Sequence, residues 1–129
     1  MKRVLGLLIL LTTVVAGCMG GSSDGLPMYP GAQVHPKAMD MGQYTIYQRR
    51  LVTPDEYKQV IAFYTEKLAD RGLTMKGGSE AAVWKDANMK MTRDGMARPV
   101  DKSKPGYHVM VMDGEGAVHI ELVWSKPKT

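Results

Sequence analysis

Between residues 57 and 68 the apolar positions recur at helical spacing. Tyr57, Val60, Ile61, Tyr64 and Leu68 fall on one face with Phe63 at its edge, while Lys58, Gln59, Thr65, Glu66 and Asp70 occupy the other. Thr53-Pro54-Asp55-Glu56 ahead of this run reads as a capping box with proline at the first helical position. Behind it, Arg71-Gly72 supplies a basic last turn and a glycine placed for a left-handed cap. One amphipathic helix is therefore predicted, with its aromatic stripe as core.

The segments around it follow the two-residue period of strands. Gln43 to Leu51 is rich in aromatic and β-branched residues, but its inward face is ambiguous: Tyr44 and Ile46 lie on one side, Tyr47 and Leu51 on the other. Leu73-Thr74-Met75 starts a strand before the Gly77-Gly78 break, and Ala81 to Met91 contains another, with Trp84 and the alternating Met89 and Met91. Residues 35–42 read as loop, as does the long polar stretch from Thr92 to Gly106. Tyr107–Met112 and Ala117–Trp124 form the clearest pair. A four-residue connection, Asp113-Gly114-Glu115-Gly116, sets Met112 opposite Ala117, Val109 opposite Ile120 and His119 opposite Met110. One face of that hairpin carries Tyr107, Val109, Val111, Val118, Ile120 and Leu122. The other carries His108, Met110, Met112, His119 and Glu121. The apolar faces are all used if an antiparallel sheet of four to five strands curls over the single helix. That is an α+β fold of strand–helix–strands order, which resembles the cystatin-type roll in outline.

The N-terminal pattern is different in kind. Lys2 and Arg3 precede the apolar run Val4 to Leu11, and Thr12 to Val15 carry it to the small residues Ala16 and Gly17 before Cys18, the only cysteine. A positive start, a short apolar stretch and small residues are the layout of a secretory signal, and the run is too short for a comfortable bilayer span. Val15-Ala16-Gly17-Cys18 resembles the lipobox of bacterial lipoproteins. The resemblance implies cleavage between Gly17 and Cys18 and lipidation of the Cys18 sulfur. Two acyl chains hold a protein on a membrane where one holds it only marginally. Met19, rather than Asp, after the cysteine implies an outer-membrane address, periplasmic side, in a Gram-negative cell. In a cell with one membrane the same motif implies the outer face of the plasma membrane. Residues 1–17 are thus expected to be signal peptide, 18–25 a Gly/Ser tether with the composition of flexible coil, and 26–129 one domain.

Leu26 to Ala32 opens the domain with two prolines and a Pro-Gly turn, and predicts that Tyr29 packs onto it. Tyr29-Pro30-Gly31-Ala32, followed by Phe63-Tyr64-x-x-x-Leu68-x-x-x-Gly72, is similar to a module of small bacterial envelope lipoproteins of unknown function. That family commonly places an aromatic after the glycine, where this chain has Leu73. The resemblance brings no catalytic residues.

Charge and composition narrow the partners. The full chain is +4, but loss of residues 1–17 removes Lys2 and Arg3 from the 17 basic residues, leaving 15 against 13 acidic and a net +2. So small a charge argues for no polyanionic partner, and nucleic acid is not expected. The single cysteine is accounted for by lipidation, which leaves the domain without a disulfide. Ser79, Ser103 and Ser125 carry no nucleophile signature, Gly77-Gly78 lacks the flanks of a phosphate loop, and three scattered histidines show no zinc spacing. No enzyme and no cofactor are predicted.

Methionine is the oddity, with 11 in 129 residues. Met39-x-Met41, Met89-x-Met91 and Met110-x-Met112 each place two thioethers on one side of a strand. Soft sulfur suits Cu(I), and Met110, Met112 and His119 on one hairpin face form the candidate metal set. Methionine equally fills gaps in small cores. The leading expectation is a non-enzymatic, membrane-anchored binding or structural module with an envelope protein or polymer as partner. The alternative is a soft-metal binder using the Met/His face, and a hydrolase comes third.

Overall fold

The computed structural model describes residues 25–128. The expected signal peptide, the cleavage point at Gly17 and Cys18, and the tether as far as residue 24 lie outside the described residues. Residues 25–128 form an α+β domain: eight strands, six of them in one antiparallel sheet, and one α-helix. In chain order the elements are β1 Gln33–Asp40, β2 Tyr44–Thr53, α1 Tyr57–Lys67, β3 Thr74–Gly77, β4 Ala81–Lys85, β5 Met89–Met91, β6 Ala97–Pro99, β7 Gly106–Gly114 and β8 Ala117–Pro127. A 3₁₀ turn, Ala69–Arg71, extends the helix. The main sheet has six strands in the order β1-β2-β8-β7-β4-β3, and β5 and β6 form a separate two-stranded flap.

The helix forms where the periodicity places it, one turn later than its expected cap. Thr53 is consumed as the last residue of β2, and its hydroxyl accepts the Asp55 N–H at 3.2 Å. The box is instead built by Glu56 and Gln59, each side chain bonded to the other's backbone N–H. Val60, Tyr64 and Leu68 are buried against β7, β8 and β4, with Ile61 and Phe63 half-buried beside them. Gly72 then turns the chain at φ 71°, a conformation that only glycine adopts freely. Leu26 to Tyr29 straps this layer, as predicted for Tyr29. Its ring meets Phe63 edge-on at 5.1 Å, and its hydroxyl donates to Asp55 Oδ2 at 2.6 Å. The Tyr64 hydroxyl donates to the Pro27 carbonyl at 3.1 Å. Gly25, expected to end the tether, already belongs to the domain. It lies so close to Trp124 that a Cβ there would sit 2.7 Å from the indole ring.

Alternation along the strands sends each residue of β2 to one of two cores. Tyr47 and Leu51 join the helix-side core, and Tyr47 stacks on Trp124 at 5.5 Å. Tyr44 and Ile46 point the other way, into a smaller cluster with Met89, Ala97 and Val123 beneath the flap. The ambiguity of this strand thus has a physical origin, since both faces are covered.

Three expectations are corrected. Residues 35–42 are largely strand, β1, pairing with β2 from Gln33↔Val52 to Asp40↔Thr45. As an edge, it needs no apolar alternation, and Pro36 and Lys37 discourage further pairing. Ala81 to Met91 is two strands in two sheets, β4 and β5, separated by Asp86 to Asn88. The β7–β8 hairpin closes two residues further out than expected: Asp113 and Gly114 continue the ladder opposite Val118 and Ala117, and Glu115-Gly116 makes the turn. Because the shift is even, every side chain keeps its predicted face. The partners change, however: Met112 lies opposite His119, and Met110 opposite Glu121.

Candidate functional site

The helix seals one face of the sheet, and the flap covers only part of the other. Asn88 fixes the flap's base. Its side-chain amide donates to the carbonyls of Asp101, Lys104 and Pro105 at 3.0–3.1 Å, and its Oδ1 accepts the Asp101 N–H at 2.7 Å. The polar stretch from Thr92 to Gly106 is therefore ordered, with β6 inside it. At the tip, Thr92 donates from both its N–H and its hydroxyl to the Met96 carbonyl, at 2.8 and 2.9 Å. The flap touches β7 and β8. Met89 is its anchor, 1% exposed in the cluster with Ile46 and Val123.

On this face the registers line up residues in rows across the strands. One row runs Lys37, Gln48, Val123, His108 and Lys85 from β1 to β4. The next runs His35, Arg50, Glu121, Met110 and Val83, and the one beyond contains Val52, His119, Met112 and Ala81. The flap lies over the first of these rows and reaches Arg50 and Glu121 of the second, leaving the rest of the face open.

The predicted metal set lies in that open part. Met110, Met112 and His119 line a groove of about 340 Å³ with Arg50, Ile120 and Glu121. Met112 is 42% exposed, and the corrected register sets it directly across from His119. Met110 instead faces Glu121, and all three line the same groove on the expected face. Among the described residues, no three of His, Cys, Asp and Glu gather as a hard-metal site would require.

Glu121 is the polar hub of the face. It accepts from Gln48 Nε2 at 2.5 Å and pairs with Arg50 at 3.7 Å. Arg50 and Glu121 also line a second cavity, of about 270 Å³, on the flap side. Met39 and Lys37 wall it from β1, Met91 and Met96 overhang it from the flap, and His108 lies on its floor. His108 is 4% exposed, and its Nδ1 is buried without a hydrogen-bond partner. Burial pulls its pKa below the ordinary value; Glu121 opposes that shift and Lys85 adds to it, so the ring is held neutral.

Sequence reasoning places His108 on the correct face but misses this cavity. Half of its lining comes from an edge strand that reads as loop and from a three-residue strand pair too short for any periodic signal. Of the serines considered for chemistry, Ser125 is fully buried, and its Oγ accepts the Gly106 N–H at 3.0 Å. No helix among the described residues is long and apolar enough to cross a membrane. Compared with known proteins, the chain matches no family model, no curated protein and no solved structure.

Proposed function

We propose that this is a non-enzymatic envelope lipoprotein, anchored through lipid on Cys18, whose domain is a binding module with the flap side of its sheet as recognition surface. The observation that carries the second half is the asymmetry of the sheet. The helix-side core contains residues with no exposure at all, whereas the opposite face keeps an open groove lined by Arg50, Glu121, Met110, Met112 and His119. The groove sets two thioethers beside the Arg50–Glu121 pair, a mixture of apolar and charged groups that supports reading it as a recognition surface. An envelope protein or polymer is the proposed partner. The anchoring half rests on the lipobox resemblance and the outer-membrane address that Met19 implies, together with the envelope-module resemblance of Tyr29–Ala32 and Phe63–Gly72. The finer fold reading, a cystatin-type roll, is kept as an outline only: one helix lies across an antiparallel sheet, but two strands precede it.

The two halves are tested separately. Cys18→Ala is expected to move the protein to the soluble fraction or to leave it as precursor; unchanged lipid labelling would refute the anchor. A photo-cross-linker at Met112, in the native membrane, is expected to capture a partner that one at Lys58, on the exposed side of α1, does not. The reverse pattern would move the recognition surface to the helix side. The second reading, a soft-metal site at Met110, Met112 and His119, rests on the register that sets Met112 opposite His119 and on the groove that all three line.

A further inference from the structure

We infer that the cavity beneath the flap is a binding site for a soft monovalent cation, Cu(I) or its analogue Ag(I), ligated by Met91, Met96 and Nδ1 of His108. The site uses none of Met110, Met112 or His119, and it does not depend on the anchoring reading.

A buried imidazole nitrogen without a partner is the strongest sign. Native interiors pair nearly all their buried polar groups, and an unpaired one points to a missing ion, water or ligand. Glu121, which also lines the cavity, takes both Gln48 and Arg50 on its Oε2. Beside the polar Lys37, Gln48, Arg50 and Glu121, the cavity offers Nδ1 sulfur: three of its lining residues are methionines. Thioether and neutral imidazole are uncharged soft or borderline donors. They suit Cu(I), and they are poor ligands for Mg(II) or Ca(II).

The sheet decides which methionines take part. Met39 lies on β1, three strand spacings from His108 on β7, about 14 Å in a sheet of ordinary geometry. It walls the far end and is not assigned as a ligand. Met91 and Met96 sit on the flap, which touches β7. Their long, unbranched side chains adapt to irregular spaces and can swing onto one ion. Met91 is 46% exposed, which leaves the ion a route from solvent. Met96 sulfur now accepts from Arg98 Nη2 at 3.7 Å, a weak contact whose loss leaves Arg98 paired with Asp94 at 3.3 Å. The cations in the lining do not forbid a monovalent guest. Lys37 is exposed, and Arg50, with a side chain 63% exposed, is offset by Glu121. Two thioethers and one imidazole give a three-coordinate site without net ligand charge, appropriate to a d¹⁰ monovalent ion and unattractive to divalent ones.

The full chain, purified in detergent, is titrated with Cu(I) anaerobically against a chromogenic chelator, and the loaded protein is measured by X-ray absorption. One tight equivalent is expected, with sulfur and nitrogen shells. Met91→Leu/Met96→Leu, which conserves volume, should weaken binding by about 100-fold or more. His108→Leu should do the same while leaving the metal-free unfolding midpoint unchanged or raised, because it removes an unpaired polar atom. Met112→Leu/His119→Ala should leave binding intact. The inference is overturned if the native chain binds no tight equivalent, or if Met91→Leu/Met96→Leu binds as tightly as the native chain. It is also overturned if Met112→Leu/His119→Ala is the variant that loses the ion, which would place it in the open groove.

Discussion

Met89→Ala tests whether the flap is a semi-independent lid. Met89 is the largest flap side chain in the small cluster with Tyr44, Ile46, Ala97 and Val123, and it is fully enclosed there. Truncating a buried methionine costs about 2–5 kcal/mol in well-packed sites, less where the surroundings can collapse. A two-stranded hairpin has no stability of its own to absorb that loss. The cost should therefore fall on flap docking, not on the sheet and helix, whose core is on the other face. At 1.4 kcal/mol per tenfold, the open flap becomes about 30- to 4000-fold more populated. Hydrogen exchange reads this directly: the amides of β5 and β6, and Thr92 N–H, which donates to Met96 O, should lose protection by that factor. Amides of β7 and β8 on the helix-side core should keep theirs. The base of the flap should stay in place, because the Asn88 bonds to residues 101–105 are untouched. Unchanged protection in β5 and β6 would show that Met89 is not the anchor. An equal loss in β7 and β8 would show that flap and sheet unfold as one unit.

Other perturbations separate the two cores. Leu68→Ala removes a buried contact of the helix-side core, and should lower global stability by about 2–5 kcal/mol in a denaturant titration, with protection falling throughout. Gly25→Val drives a side chain into the Trp124 ring, and should cost about 1–3 kcal/mol by the same assay. Tyr29 has its pKa pushed up from 10 to about 12, first by burial and then by its bond to Asp55. Its neutral form is thus favoured by folding, so its contribution is complete below pH 10 and is lost as pH rises toward 12. Tyr29→Phe should flatten the alkaline slope of the unfolding midpoint, and an ultraviolet titration should lose its latest tyrosinate step but one, Tyr64 being raised further still.

What the chain makes legible is what local pattern dictates. The helix is legible because Val60, Tyr64 and Leu68 must meet one core, and the faces of β7 and β8 because alternation survives an even slip in register. The slip itself is not legible: Asp113 and Gly114 look like turn residues, yet Gly116 alone supplies the positive φ that the turn uses, at 78°. Thr53 reads as a cap because its spacing to Glu56 is right, but a strand ending there has a prior claim on it. β1 and the flap escape for a shared reason. An edge strand and a three-residue pair bury too few side chains to impose a period, and they owe their structure to distant partners, Val52 to Thr45 for one and Val123 for the other. The cavity around His108 is walled and roofed by those two elements over a floor from β2, β7 and β8, so it cannot be seen before they are.

The direction in which the chain leaves the domain bears on how a binding face would be presented. Gly25 lies on the helix side, packed on Trp124, and its carbonyl accepts from Arg71 Nη2 at 2.7 Å. Arg49 lies over the same indole at 5.1 Å. From Cys18 to Gly25 the chain has only seven steps, at most about 25 Å when fully extended. Under the anchoring proposal the helix side is therefore the part of the domain held nearest the headgroups, and two guanidinium groups flank the exit, where anionic lipid would attract them. The flap and the open groove occupy the opposite face of the same sheet. Lipid on Cys18 would thus attach the domain on the side opposite His108's cavity and the Arg50–Glu121 groove.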